Sequence, residues 1–159
     1  MKRKELTLLF LRRDNQILLA MKKRGFGVGK WNGVGGKVEP GESITEALIR
    51  ECQEEISVTP INYEKVAELT FNEVHEDERK IMFVHVYICT KWEGEQAESE
   101  EMAPQWFNTS EIPYDQTWSD DPYWLPKVLE GKKITAQFTM DDSNEVTEHT
   151  VTEVEAFND

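Results

Sequence analysis

The segment SITEALIRECQEEI, residues 43 to 56, places carboxylates where a packed helix needs apolar side chains. On a helical wheel with Ile44 at zero, Ala47, Leu48 and Cys52 share one apolar arc, and Glu51 and Glu55 fall inside it at about 340° and about 20°. Glu46, Arg50 and Gln53 fall on the opposite side, and Glu54 sits on the border at about 280°. Two carboxylates one turn apart on a packing face repel each other and are costly to desolvate, so they need a compensating charge. Arg50 is spaced to pair with Glu54 at i+4, not with Glu51 or Glu55. A hard divalent cation, Mg²⁺ with Mn²⁺ as a substitute, suits an oxygen-only set that also meets substrate phosphates. A second acidic pair lies in WSDDPYWLP, residues 118 to 126. Adjacent carboxylates in a partly apolar site do not readily ionise together, so this pair offers both a donor and an acceptor near neutral pH. Asp121, directly before Pro122, is also placed to cap a helix, a role that does not explain Asp120.

The spacing around the first carboxylates carries a resemblance. Gly36, five residues, Glu42, seven residues, then Arg50-Glu51-Cys52-Gln53-Glu54-Glu55-Ile56-Ser57-Val58 resembles the Nudix box, Gly-x5-Glu-x7-Arg-Glu-(apolar)-x-Glu-Glu-x-Gly-(apolar). Six fixed positions agree, a coincidence on the order of one in a million per register or less. Ser57 stands where the box has glycine, and serine there either strains a left-handed turn by about 1 kcal/mol or changes the turn. The resemblance implies hydrolysis of a nucleoside diphosphate linked to a further group. It implies metal binding by Glu51, Glu54 and Glu55 beside the Gly36 carbonyl, with Glu42 and Arg50 orienting them. A general base outside the box is common in the family, and Glu101 or Glu100 in the acidic loop is the best placed by sequence; Glu101 is also carried as a metal ligand.

From Leu6 to Val154 the chain further resembles the animal-type, MutT-like branch of the family, which hydrolyses oxidised purine nucleoside triphosphates. The likeness is carried by MKKRGFGVGKWNGVGGK at 21 to 37, EMAPQWF at 101 to 107 and WSDDPYWLP. It implies that Asn32, Asp120 and Asp121 read the purine edge and that Trp118 stacks on the base. Thr7, Phe26, Phe71, Met82, Met102 and Trp124 would form the pocket wall, and Lys22 would lie on the phosphate side. Taken singly, Phe71, Met82 and Met102 read as core, Lys22 as a surface charge, Thr7 as a strand residue and Asn32 as a turn residue. Their joint occurrence favours a pocket. Another nucleotide substrate of the same reaction, or a non-catalytic nucleotide-binding domain, are the rival readings.

The elements that must position these residues are legible in outline. Residues 5 to 12 and 16 to 21 read as a hairpin of two strands. A loop with seven glycines between Gly25 and Gly41 follows, suited to sharp turns and close ligand approach. Ser43 and Glu46 have capping-box spacing ahead of the helix. Strands are expected at 61 to 74, 80 to 91 and 102 to 108, then a helix opening at Asp121-Pro122 and closed by Gly131, then a terminal strand pair at 134 to 140 and 145 to 154. His75 reads as a loop residue, His85 and His149 as strand residues, and none suggests a function. The architecture implied is α+β, a mixed β-sheet packed between helices as an α/β/α sandwich, which is the Nudix fold, in one domain over 1 to 159.

Composition bounds the partners. Eighteen basic against thirty-one acidic residues give a formal charge of −13, which disfavours nucleic-acid polymers and anionic membranes. A small nucleotide remains compatible through a bridging metal. The apolar run LTLLFL near the start is too short for a signal peptide, and no run approaches the ~18 residues of a membrane span. Cys52 and Cys89 read as separate buried thiols of a reducing compartment. A cytoplasmic monomer is expected.

Overall fold

A computed structural model describes residues 2–75 and 78–157. In chain order its elements are β1 (Lys2–Arg13), β2 (Gln16–Lys22), β3 (Trp31–Asn32), α1 (Ile44–Ile56), β4 (Thr59–His75), β5 (Glu78–Glu93), β6 (Met102–Asn108), α2 (Asp121–Leu129), β7 (Lys133–Met140) and β8 (Val146–Val154), with single 3₁₀ turns at 109–111 and 114–116. The sheet is mixed: β1 runs parallel to β5 and β4 parallel to β7, while the other pairs are antiparallel. Its order is β3-β2-β1-β5-β4-β7-β8, with β6 on the other edge of β2. His75 closes β4 and does not lie in a loop. No helix is long and apolar enough to cross a membrane among the described residues.

The expected hairpin exists only at its turn. β1 and β2 pair at Arg12–Ile17 and Arg13–Gln16 around Asp14, whose φ of 48° is left-handed, and then they part. Residues 34 to 38 occupy the gap along β1. Leu9 N–H donates to Val34 O at 2.7 Å, Val34 N–H returns to Leu9 O at 2.9 Å, and Thr7 N–H donates to Gly36 O at 2.9 Å. A backbone inserted this close tolerates no side chain, since a Cβ on Gly35 would lie 1.9 Å from the Thr7 carbonyl oxygen. This is what brings the glycine loop, β1 and α1 to one place.

Strand alternation splits the interior into two cores. Leu9 and Leu11 of β1 pack with Leu48, Cys52 and Ile56 of α1, while Phe10 points to the other face, with Trp124, Leu125 and Val128 of α2. The sheet therefore lies between the two helices, as the layered reading requires. Cys52 and Cys89 are both free and buried in the α1 core, and burial is the main cause of their raised thiol pKa values.

The capping box at the start of α1 is formed: Glu46 N–H donates to Ser43 Oγ at 3.1 Å, and Ser43 N–H donates to Glu46 Oε1 at 2.9 Å. At the other end Ser57 adopts φ 62°, ψ 30°, so the left-handed turn is kept without the glycine. Its N–H still caps α1 through Gln53 O at 3.2 Å. The strain follows from crowding of Cβ against the next carbonyl. Ser57→Gly is expected to stabilise the protein by up to about 1 kcal/mol, read as a rise in the urea unfolding midpoint at unchanged slope; a lower midpoint would contradict this account.

Candidate active site

The carboxylates of α1 divide by depth. Glu55 is buried and Glu51 largely so, its side chain 16% exposed, whereas the Glu54 side chain is 60% exposed. The Glu55 carboxylate accepts from Gly35 N–H at 3.2 Å, and its pKa is pushed up to about 8, first by burial and then by the charge and hydrogen bonding of Glu51. Gly36 lies against Glu51 so closely that a Cβ there would come within 2.6 Å of its Oε1. A side chain at that position would displace the carboxylate.

Arg50 does not serve chiefly the i+4 partner expected for it. Its Nε and Nη2 grip Glu42 at 2.7 and 3.0 Å, Nη2 also donates to Lys37 O at 3.1 Å, and Nη1 reaches Glu51 at 2.9 Å and Glu54 at 3.4 Å. The two-pronged bond holds the Glu42 carboxyl down at about 2. A wheel gives the direction of Cβ, but a guanidinium on a long stem goes where the best bidentate acceptor lies. Arg50 thus ties the helix to the glycine loop and steadies Glu51, and no arginine contact reaches Glu55.

The structure does not bring every expected ligand together. Among the described residues no three acidic, histidine or cysteine side chains converge as a ready metal cage. Glu101 is paired with Lys22 at 3.2 Å and Arg24 at 3.7 Å, and Glu100 with Arg24 at 3.4 Å. Their acidic loop is drawn to the basic run 22 to 24. What does fit a divalent cation is the adjacent Glu51–Glu55 pair: a proton held at raised pKa between buried carboxylates marks a place where bound positive charge stabilises both. The Gly36 backbone lies against Glu51, with its carbonyl accepting from Thr7 N–H, and Glu54 is exposed and, among the described residues, held only by Arg50 Nη1 at 3.4 Å.

A cleft of about 520 Å³ runs from these carboxylates toward α2. Its lining includes Thr7, Lys22, Phe26, Asn32, Gly36, Glu55, Phe71, Met82, Met102, Trp118, Asp120 and Asp121. Phe26 is 71% exposed at the mouth, its ring centroid 5.1 Å from that of Trp118. A Cβ on Gly27 would come within 2.9 Å of Trp118, so the loop packs directly on the indole. Asn32 Oδ1 accepts from Gly33 N–H at 2.9 Å, which orients the amide at the cleft edge. The Thr7 hydroxyl is buried on the lining without a hydrogen-bond partner.

Trp124 is the correction among the wall residues. It is fully buried in the α2 core and lies behind the lining, where its Nε1–H donates to Asp120 Oδ2 at 2.8 Å. Its service to the cleft is to hold Asp120. Nor does the aspartate pair cap α2 by side chain in the expected way. Asp120 occupies the N-cap position with no side-chain cap bond, and Asp121, already helical, accepts from Trp118 N–H at 3.1 Å. Both are buried, and burial is the first cause of both raised pKa values: Asp120 goes up to about 6, and Asp121 well above its ordinary range, with the Asp120 charge the second cause there. One shared proton is the state this geometry favours. Leu6, Leu8, Gly33, Val84, Met140 and Asn144 also line the cleft; strand alternation marks several as core, but only the fold shows that they border a cavity. His85 lies between Glu5 at 3.2 Å and Glu68 at 3.8 Å, and the His149 ring packs on Tyr123, both outside this cleft.

Residues 1–128 match the family model described as NUDIX domain, and the chain belongs to the Nudix family. It is 43% identical over 152 residues to the oxidized purine nucleoside triphosphate hydrolase of Danio rerio, covering 96% of each chain. To the Mus musculus protein of the same name it is 40% identical over 151 residues, 95% of this chain and 96% of the relative. In structure it matches a MutT protein of Bacillus halodurans with a TM-score of 0.81 and 26% identity, over 93% of this chain and 97% of the other.

The aspartate pair has a pH signature. Asp120 has its folded pKa raised to about 6, so the stability its protonated form contributes is complete below about 4 and is lost as pH rises through 6. Asp120→Asn removes that loss. Its unfolding midpoint relative to the unaltered protein is expected to climb between pH 4 and 7 in thermal melts; a flat or falling difference would mean that the pair is ionised when folded.

Proposed function

We propose that this chain is a Mg²⁺-dependent hydrolase that cleaves oxidised purine (deoxy)nucleoside triphosphates, such as 8-oxo-dGTP and 2-oxo-dATP, to the monophosphate and pyrophosphate. In the cell this removes damaged nucleotides from the precursor pool. On this reading the protein is a monomeric, cytoplasmic enzyme with one catalytic domain over residues 1 to 159. The observation that carries the substrate choice is the buried Asp120–Asp121 pair beside Trp118 in the cleft. A pair holding one proton offers a donor on one carboxyl and an acceptor on the other. The oxidised bases differ from each other in donor and acceptor pattern, and a proton that can reside on either aspartate serves both. The indole face of Trp118 adds stacking worth ~1–3 kcal/mol that does not choose between purines. The likeness, over nearly the full length, to two relatives named for this activity supports the same reading.

The reaction adds water across a phosphoanhydride: the water oxygen bonds to phosphorus, the bridging oxygen departs with the leaving phosphate, and both water protons are shed to base or solvent. In the proposed roles Glu51, Glu54 and Glu55, with the Gly36 carbonyl, hold the metal. Bound there, Mg²⁺ supplies charge neutralisation of phosphate oxygens and acidifies a water. Arg50, through Glu42 and Glu51, keeps the ligand helix in register with the glycine loop. Lys22, which lies close enough to Glu55 to oppose the rise in its pKa, faces the phosphate side. Asn32 and the aspartates orient the base, and Phe26 closes over it.

Two measurements test this. Asp120→Asn is expected to lower kcat/KM for 8-oxo-dGTP and 2-oxo-dATP far more than for dGTP and dATP, in a pyrophosphate-release assay at low substrate. Equal losses on all four would remove the base-reading role. Glu54→Gln is expected to reduce kcat by about 10²-fold or more at saturating Mg²⁺, with the fold unchanged by circular dichroism; undiminished turnover would end the catalytic assignment.

A further inference from the structure

Three lysines that no sequence motif joins meet along this cleft. Lys4 on β1, Lys37 after the box glycine and Lys80 on β5 all line it, together with Gly36 and Glu55. The backbone explains the meeting. β1 is flanked on one side by the inserted segment, where Leu6 bridges Lys37, and on the other by β5, where Lys4 is opposite Met82 and Lys80 lies two residues earlier. Side chains two apart on one strand share a face, so Lys80 projects with Met82 to the cleft side.

The Lys4 ammonium is close enough to the other two that its proton affinity is lowered, first by Lys37 and then by Lys80. Among the described residues neither Lys4 nor Lys37 has a carboxylate within ion-pair distance, although the chain carries thirty-one acidic residues. Lys80 lies 3.8 Å from Glu73, one carboxylate against three ammonium groups. Three ammonium groups against one carboxylate leave excess positive charge on this part of the cleft, which a bound anion would neutralise.

We propose that Lys4, Lys37 and Lys80 form a pyrophosphoryl subsite, which takes the terminal phosphates of a nucleoside triphosphate and the pyrophosphate released from it. Naming the substrate's phosphates rests on the hydrolase reading above, but the anion chemistry does not. Lys37 follows the glycine that touches Glu51, so the subsite begins where the carboxylate site ends. Three flexible ammonium groups suit a highly charged anion whose oxygens point in several directions, where a fork-shaped arginine would select one orientation. A monophosphate, lacking the outer phosphates, gains nothing from them. Lys22, held by Glu101, is a separate cation on the same cleft.

The test uses the full chain and inorganic pyrophosphate as probe. Isothermal titration is expected to show pyrophosphate binding that weakens with salt and is about tenfold or more weaker in the Lys4→Gln/Lys80→Gln double variant. Lys132→Gln, which removes a lysine paired with Glu130 and Glu153 far from the cleft, is expected to leave it unchanged. In parallel the double variant should raise KM for the nucleoside triphosphate while binding of the oxidised purine monophosphate stays as before. No pyrophosphate binding by the unaltered protein, equal binding by the double variant, or an equal loss in Lys132→Gln would each overturn the subsite. If the protein binds pyrophosphate through these lysines yet hydrolyses no oxidised nucleotide, the subsite stands and the substrate assignment falls.

Discussion

The site depends on one close approach, that of the Gly35–Gly36 backbone to the Glu51 and Glu55 carboxylates. Gly35 N–H donates to the buried Glu55 carboxylate, and a Cβ on residue 36 would displace the Glu51 carboxylate from where it lies. The same segment fills the gap where β1 leaves β2, and its carbonyls satisfy β1 N–H groups that the missing hairpin pairs would have used. Arg50 then closes the assembly by holding Glu42, Glu51 and the Lys37 carbonyl at once. Helix, loop and strand are therefore locked by the groups that prepare the acidic site, so stability and function draw on the same contacts.

Two acidic pairs stand along the cleft, and they are kept by different means. Glu51–Glu55 lies against the glycine loop, with a proton that bound positive charge would replace. Asp120–Asp121 faces α2, enclosed by protein, with Trp124 Nε1–H and Trp118 N–H each occupying one carboxyl. The first pair awaits charge and the second keeps a proton because it is dry. An acidic protein can in this way hold an anionic nucleotide: the excess negative charge is masked by protons inside the cleft, and lysines line its mouth.

Much of this was legible in the residues. The periodicity of 43 to 56 exposes the misplaced carboxylates and the capping box, because both are set within a few turns of chain, whereas only the structure decides that Ser57 keeps the left-handed turn. Arg50's true partner was not legible, since Glu42 lies outside the helix and wheel geometry does not describe a side chain that long. Trp124, expected in the wall, packs one layer behind it. Burial of an indole and exposure to a cavity share the same sequence pattern, and only its bond to Asp120 separates them. The ion pairs of Glu101 with Lys22 of β2 and Arg24 after it were not legible either, since they join residues nearly eighty positions apart.

By itself the sequence determined the family chemistry, the two acidic pairs and the helices that carry them, because those are matters of local spacing and residue type. The tertiary structure decided which carboxylates meet, where the hairpin opens, and that residues 4, 37 and 80 share one rim. Those outcomes turn on strand register and on a segment inserted between two strands that adjoin in the chain. Contacts between residues distant along the chain are settled by packing, which no short window of sequence contains.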